Sequence, residues 1–325
     1  MTCSERDPRG PGALPPPAAQ HRALSVGPAV QDLVQGRARL RVHSLFPSTL
    51  NLRVHGRDFM LALAGPAGTV LPHAVALERP GDFTAWGLEA GSSGWLEDGT
   101  IHLRGRTGTV AVDLARARRP PAGPLALINE GGAARRACAG RLAAIQAGLG
   151  CHLRLDALEV GCVSATALGR ALGRAARNLG TAARNLAACP GGSAPGPQPL
   201  HRAVAALVGL GPGLTPSGDD FLCGFLAAAW ARRPEPDPGG GLVAALNRAV
   251  AASLGATGEI SASLLRVAIR GHWPTPLADL ARALAGDRSS EALDGLERLC
   301  ALGGSSGADL ATGFLFGLDI LPGAA

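Results

Sequence analysis

The segment GLGPGLTPSGDDFLCGF, residues 209–225, gathers Thr215, Ser217, Asp219 and Asp220. Two carboxylates beside two hydroxyls can aim at the N–H groups of an amine or amide. With water they can also hold a hard cation such as Mg²⁺. Gly209, Gly211, Gly213 and Gly218 permit a close approach of backbone to a ligand, and Pro212 and Pro216 stiffen the loop. A stiff loop of N–H groups ahead of a helix suits an anion. Asp219 and Asp220 would repel that anion unless they face a cation or an amide. A plain helix entry explains part of the pattern, since Ser is a good N-cap and Asp complements the helix dipole. A cap needs only one such side chain.

The motif has an echo. SGDDFLCGFL (217–226) aligns without gaps on SGADLATGFL (306–315), with Ser, Gly, Asp, Gly, Phe and Leu identical. Ser306 and Asp309 thereby join the candidates, and Asp220 with Asp309 form the candidate metal pair. A third polar stretch, GATGEISASLLRVAIRGHW (255–273), offers Thr257, Glu259 and Ser261 at a helix start. Arg266 and Arg270 lie four apart on one helix face, where with His272 they can clamp a carboxylate or phosphate, or form a surface ladder. His43 beside Ser44, with Asn51 nearby, reads as structural, because no acid in the sequence is placed to orient the imidazole. Cys223 lies one turn into an apolar helix and reads as a packed thiol.

Composition excludes several chemistries. The 325 residues contain no Lys, so a P-loop, a pyridoxal Schiff base and a kinase site are closed. Anions must be held by Arg, His, backbone N–H groups or a metal. The formal charge of +6 comes from Arg spread along the chain, and with 3% aromatics it gives no nucleic-acid surface. Seven cysteines without a C-x-x-C pair suit reduced thiols in the cytoplasm better than disulfides or zinc. No apolar run reaches the length of a membrane span.

These residues need elements to position them. Residues 1–21 read as a disordered tail, rich in Pro and lacking an apolar signal segment. Residues 22–118 carry short runs such as ARLRVHSLF, TLNLRVHG, DFMLALAG, HAVALE, TIHLRG and GTVAVDLA, which predict an antiparallel β domain, a small barrel or a sheet. Arg37, Arg39 and Arg41 alternate with apolar residues as a solvated strand face. A linker at 115–124 leads to a mainly α-helical domain, 125–325, with loops at 189–199 and 232–241. Asn129 and Glu130, at the domain junction, fit a turn and helix cap as well as a site. Helices are expected at 241–255, 259–270, 275–285, 290–302 and 308–319, so the fold class is α+β.

The string from Gly209 to Asp220 resembles the signature of the AllH-type subunits of oxamate carbamoyltransferase. VHSLFPSTLNL resembles that family's N-terminal V-x-S-V-F-x-x-A-x-N-L region, and GGSSGADLATGFLFGL its C-terminal G-H-x-S-G-x-D-x-L-x-G pattern. Two departures stand out: Gly258 replaces a second Thr, and Gly304 replaces the His of the C-terminal loop. The resemblance implies carbamoyl transfer between carbamoyl phosphate and oxamate, giving oxalurate and phosphate in allantoin breakdown. It also implies companion subunits and no covalent nucleophile. Asp219, Asp220, Thr215 and Ser217 would then be catalytic. Gly211, Gly213, Gly218, Thr257, Ser261, Arg266, Arg270, Ser306 and Asp309 would bind substrate, with Mg²⁺ as the candidate ion. The competing reading is a scaffold or binding subunit whose motif docks a partner.

Overall fold

The computed structural model describes residues 19–66, 71–120, 123–128, 132–160, 164, 166–188, 197–232 and 241–323. Eight strands come first: β1 (Ala19–Val26), β2 (Ala38–Leu45), β3 (Thr49–Val54), β4 (Met60–Ala64), β5 (Ala74–Leu77), β6 (Ser93–Glu97), β7 (Thr100–Arg104) and β8 (Thr109–Asp113). They close into a barrel in the order β1-β5-β4-β3-β2-β6-β7-β8. β1 runs parallel to β8 and β4 runs parallel to β5, while the other neighbours are antiparallel. The expected antiparallel domain is therefore a mixed barrel. β4 and β5 are joined by residues 65–73 rather than by a tight hairpin, so the chain can cross back and run β5 in the direction of β4.

Alternation fills the barrel. Leu50, Leu52, Leu61, Leu63, Leu96 and Ile101 are buried in one apolar cluster, each leucine contributing about 2 kcal/mol by area removed from water. Arg39 and Arg41 are exposed between the buried Leu40 and Val42, the solvated face expected from their spacing. Two strands carry no strong sequence signal. β1 mixes His21, Arg22 and Ser25 with alanines, and it takes in residues 19–21 of the expected tail. β6 includes Gly94, where a side chain would collide with the His102 carbonyl of β7. Residues 1–18 of that tail, Asn129, Glu130, and most of the expected loops at 189–199 and 232–241 lie outside the described residues.

The helices are α1 (Ala133–Leu149), α2 (Leu155–Val160), α3 (Ala167–Ala187), α4 (Gln198–Ala205), α5 (Ser217–Arg232), α6 (Leu242–Ser253), α7 (Glu259–Ala268), α8 (Thr275–Ala285), α9 (Ser289–Cys300) and α10 (Ser306–Ile320). The last five match the expected segments within a few residues. α5 and α10 form the centre, buried on nearly every side, as helices apolar all round must be. The two cross with pseudo-two-fold symmetry. A methyl at Gly224 of α5 would overlap the Leu310 carbonyl of α10, and a methyl at Gly313 of α10 would overlap the Phe221 carbonyl of α5. Gly313 follows Gly224, and Leu310 follows Phe221, by the 89-residue offset of the echo. The repeated sequence is thus a repeated contact.

α7 ties the barrel to the helices. Ser263 Oγ accepts the Met60 N–H at 2.7 Å, and Val267 packs into the barrel's apolar cluster. Among the described residues no helix is long and apolar enough to cross a membrane.

Candidate functional site

The loop from Leu207 to Pro216 folds back on the start of α5. Gly209, at φ +76°, has no room for a side chain against the Ala256 carbonyl, so glycine is needed there for both reasons. Gly211 and Gly213 are also left-handed, and Leu214 stands exposed at the tip. The N–H groups of Gly218, Asp219 and Asp220 donate to carbonyls of Leu210 and Pro216 at 2.9, 2.9 and 3.1 Å. The expected row of bare N–H donors is consumed at these three residues within the loop itself.

The adjacent carboxylates have separate surroundings. Asp219 is 1% exposed and fully engaged. One oxygen accepts the Gly209 N–H at 2.8 Å, and the other accepts the hydroxyls of Thr257 at 2.5 Å and Ser261 at 2.7 Å. It fastens the glycine loop to the start of α7. Thr257 and Ser261 are the expected hydroxyls of that stretch, and here they hold a carboxylate.

Asp220 points instead toward α10. It is 6% exposed and its Oδ2 is buried without a hydrogen-bond partner among the described residues. Burial drives its pKa well above the usual carboxylate range. The nearby Ser306 and Thr215 hydroxyls oppose that rise, and the charges of Asp309 and Asp219 add to it. Asp309 is 1% exposed, and both of its oxygens are buried without a partner among the described residues. Burial pushes it up to about 6, with Ser217 and Ser305 alongside acting against the rise. Neither of those hydroxyls is aligned into a hydrogen bond with Asp309. Thr215 Oγ1 and Ser306 Oγ meet at 2.7 Å and link the two motif copies directly. Asp220 and Asp309 thus form a facing pair at two helix starts, rimmed by Thr215, Ser217, Ser305 and Ser306.

The donor set is entirely hard oxygen, which suits Mg²⁺ rather than a thiophilic metal. Among the described residues no group of three or more His, Cys, Asp or Glu is gathered to hold an ion. An ion at this pair would therefore complete its shell with hydroxyls, water or ligand oxygens. Cys223, one turn further on, is buried, and burial drives its thiol well above the ordinary value, as a packed thiol requires.

The two expected clamp arginines do not converge on this pair. Arg270 makes a two-pronged contact with Asp58 of the barrel, at 2.9 and 2.8 Å, and lies over the Phe59 ring. Arg266 Nε lies 4.0 Å from the same carboxylate. They hold the barrel to α7. Arg266 also lines a cleft of about 800 Å³ between barrel and α7, with Arg39, Arg41, Arg53, Arg57 and Glu259. Glu259 accepts from Arg53, its Nε at 3.2 Å, and Arg53 holds the Glu259 carboxyl below its ordinary range.

Two family models match the chain. One, the AllH family N-terminal domain, covers residues 22–119 and so most of the barrel. The other, oxamate carbamoyltransferase subunit AllH, covers residues 207–318, from the glycine loop almost to the end of α10. No solved structure matches the chain.

Proposed function

The chain belongs to the AllH family, and from that premise we propose that it carries the reaction centre of a carbamoyltransferase complex that moves a carbamoyl group between phosphate and oxamate. The observation that supports this reading most strongly is the facing pair Asp220 and Asp309. Three buried carboxylate oxygens, Oδ2 of Asp220 and both of Asp309, have no hydrogen-bond partner among the described residues, which is costly unless a ligand or cation meets them. A protein that keeps both carboxyls at the starts of its two central helices gains most from them when an amide or a metal is bound.

Both carbamoyl phosphate and oxamate carry a carboxamide-type NH₂, which donates to carboxylates. Asp220 and Asp309 would orient those NH₂ groups, with the Thr215, Ser217 and Ser306 hydroxyls serving the adjacent carbonyl oxygens. When Mg²⁺ is bound at the pair, it would supply charge neutralisation for phosphate oxygens. Asp219 would act indirectly, by fixing Gly209, Gly211 and Gly213 against α7. The arginine-lined cleft would draw in both anionic substrates. Companion subunits complete the assembly in this reading, as the subunit name implies.

The test is the reconstituted complex carrying Asp220→Asn or Asp309→Asn, assayed for phosphate release from carbamoyl phosphate with oxamate present. Loss of turnover with intact assembly supports the reading. Normal turnover would refute it and leave the motif as a docking device of a scaffold subunit.

A further inference from the structure

The barrel carries a second arrangement that does not involve Asp220 or Asp309 and takes only its electrophile class from the proposed function. β2 is irregular between Val42 and Ser44, where its register against β3 shifts. Neighbours on a regular strand point to opposite faces, and a bulge cancels that alternation. Here His43 and Ser44 therefore meet, with Nδ1 to Oγ at 3.0 Å. Asn51, the cross-strand partner of Ser44 and itself buried, donates its Nδ2 to the same Oγ at 3.0 Å. The third partner comes from the other domain. Glu259, at the start of α7, places Oε2 3.3 Å from His43 Nε2.

The directions of the protons follow from these contacts. Ser44 Oγ accepts from the Asn51 amide, so its own hydrogen is free to point at His43 Nδ1. That nitrogen then accepts, and Nε2 carries the ring hydrogen and donates it to the Glu259 carboxylate. This is the order a serine nucleophile needs: hydroxyl, imidazole base, orienting acid. Glu259 stays ionised beside Arg53, and of the three residues it is the one on the wall of the arginine-lined cleft.

We propose that Ser44, His43 and Glu259 form a catalytic triad assembled across the two domains, with Ser44 as a nucleophile toward small carbamoyl or acyl electrophiles. Ser44 Oγ forms a bond to the electrophilic carbon, and its proton passes to His43 Nδ1. The proton then goes on to the leaving group, or to the adduct where none leaves. Asn51 holds Oγ in place through its amide N–H, so that the hydroxyl hydrogen faces His43.

The probe is isocyanic acid, supplied as cyanate to the full chain, with modification read by peptide mass spectrometry. It adds across N=C without a leaving group: Ser44 Oγ bonds to carbon and the proton ends on nitrogen. The absence of lysine removes the usual background, and the chain's α-amino group serves as the reagent control. The expected result is one carbamoyl group on Ser44, none in Ser44→Ala, and a rate lowered about a hundredfold or more in His43→Gln. Glu259→Gln lowers the rate by a smaller factor, with thermal melting confirming that each variant is folded. Ser44 left unmodified while the α-amino group reacts, or equal rates in wild type and His43→Gln, would overturn the triad. Neither outcome bears on Asp220 and Asp309.

Discussion

Asp309→Asn should make the protein more stable at neutral and mildly alkaline pH, against the usual direction for a buried polar residue. The Asp309 carboxyl titrates near 3.8 when solvated and is pushed up to about 6 in the fold. Between those values the folded state binds more protons than the unfolded one, so stability falls as pH rises from about 4 to about 6 and stays lowered above. The difference of roughly two pKa units corresponds to about 3 kcal/mol, an upper figure because solvent or a cation can relieve the charge. Asparagine carries no charge and removes the loss. For a helical region of this size that upper figure corresponds to about 6–12 °C in Tm at pH 8, shrinking toward zero near pH 4. The measurement is calorimetric melting of both proteins from pH 4 to pH 8 in metal-free buffer. An Asn variant that melts below wild type at pH 8, or a difference that does not depend on pH, would refute the claim that Asp309 is an uncompensated buried carboxyl. In the same assay Mg²⁺ should raise the wild-type Tm and leave the variant unmoved.

Three further outcomes follow from the contacts described. Gly224→Ala and Gly313→Ala each drive a methyl into a facing carbonyl and should cost about 3 kcal/mol or more by denaturant unfolding. Asp219→Ala leaves the Gly209 N–H and two hydroxyls without their acceptor, and should cost about 2–4 kcal/mol while exposing the loop to proteolysis near Leu214. Asp58→Ala breaks only exposed ion pairs, the close one with Arg270 and the looser one with Arg266, and urea melts should show a loss of about 1 kcal/mol or less.

The helices are legible in the sequence because Ala and Leu recur with helical spacing between glycine turns, and the echo at 306–315 pairs the starts of α5 and α10 without giving their crossing. The sequence leaves a barrel and an open sheet as alternatives, and it does not encode the mixed strand directions. β1 and β6 lack clear alternation, and parallel pairing of β4 with β5 depends on a crossover that no local pattern encodes. Asp219 and Asp220 are adjacent in sequence yet serve different contacts. Successive helical residues are turned about 100° apart, so one carboxylate faces α7 and the other α10. Arg266 and Arg270 share a partner, but Arg270 lies in the turn after α7 and that partner, Asp58, lies in the barrel. His43 likewise lacked an acid in the sequence because Glu259 reaches it only once the two domains have met. A contact between residues over two hundred positions apart leaves no mark on either segment alone.

The closure of the barrel also governs how this subunit can assemble. An open sheet can recruit another chain by adding a strand to its edge, through backbone hydrogen bonds that any sequence can supply. Here each of the eight strands already has a neighbour on both sides. A partner that docks on the barrel must therefore recognise side chains, on the barrel's turns or its arginine-bearing outer wall. A few point substitutions on those surfaces should suffice to dissolve a partnership.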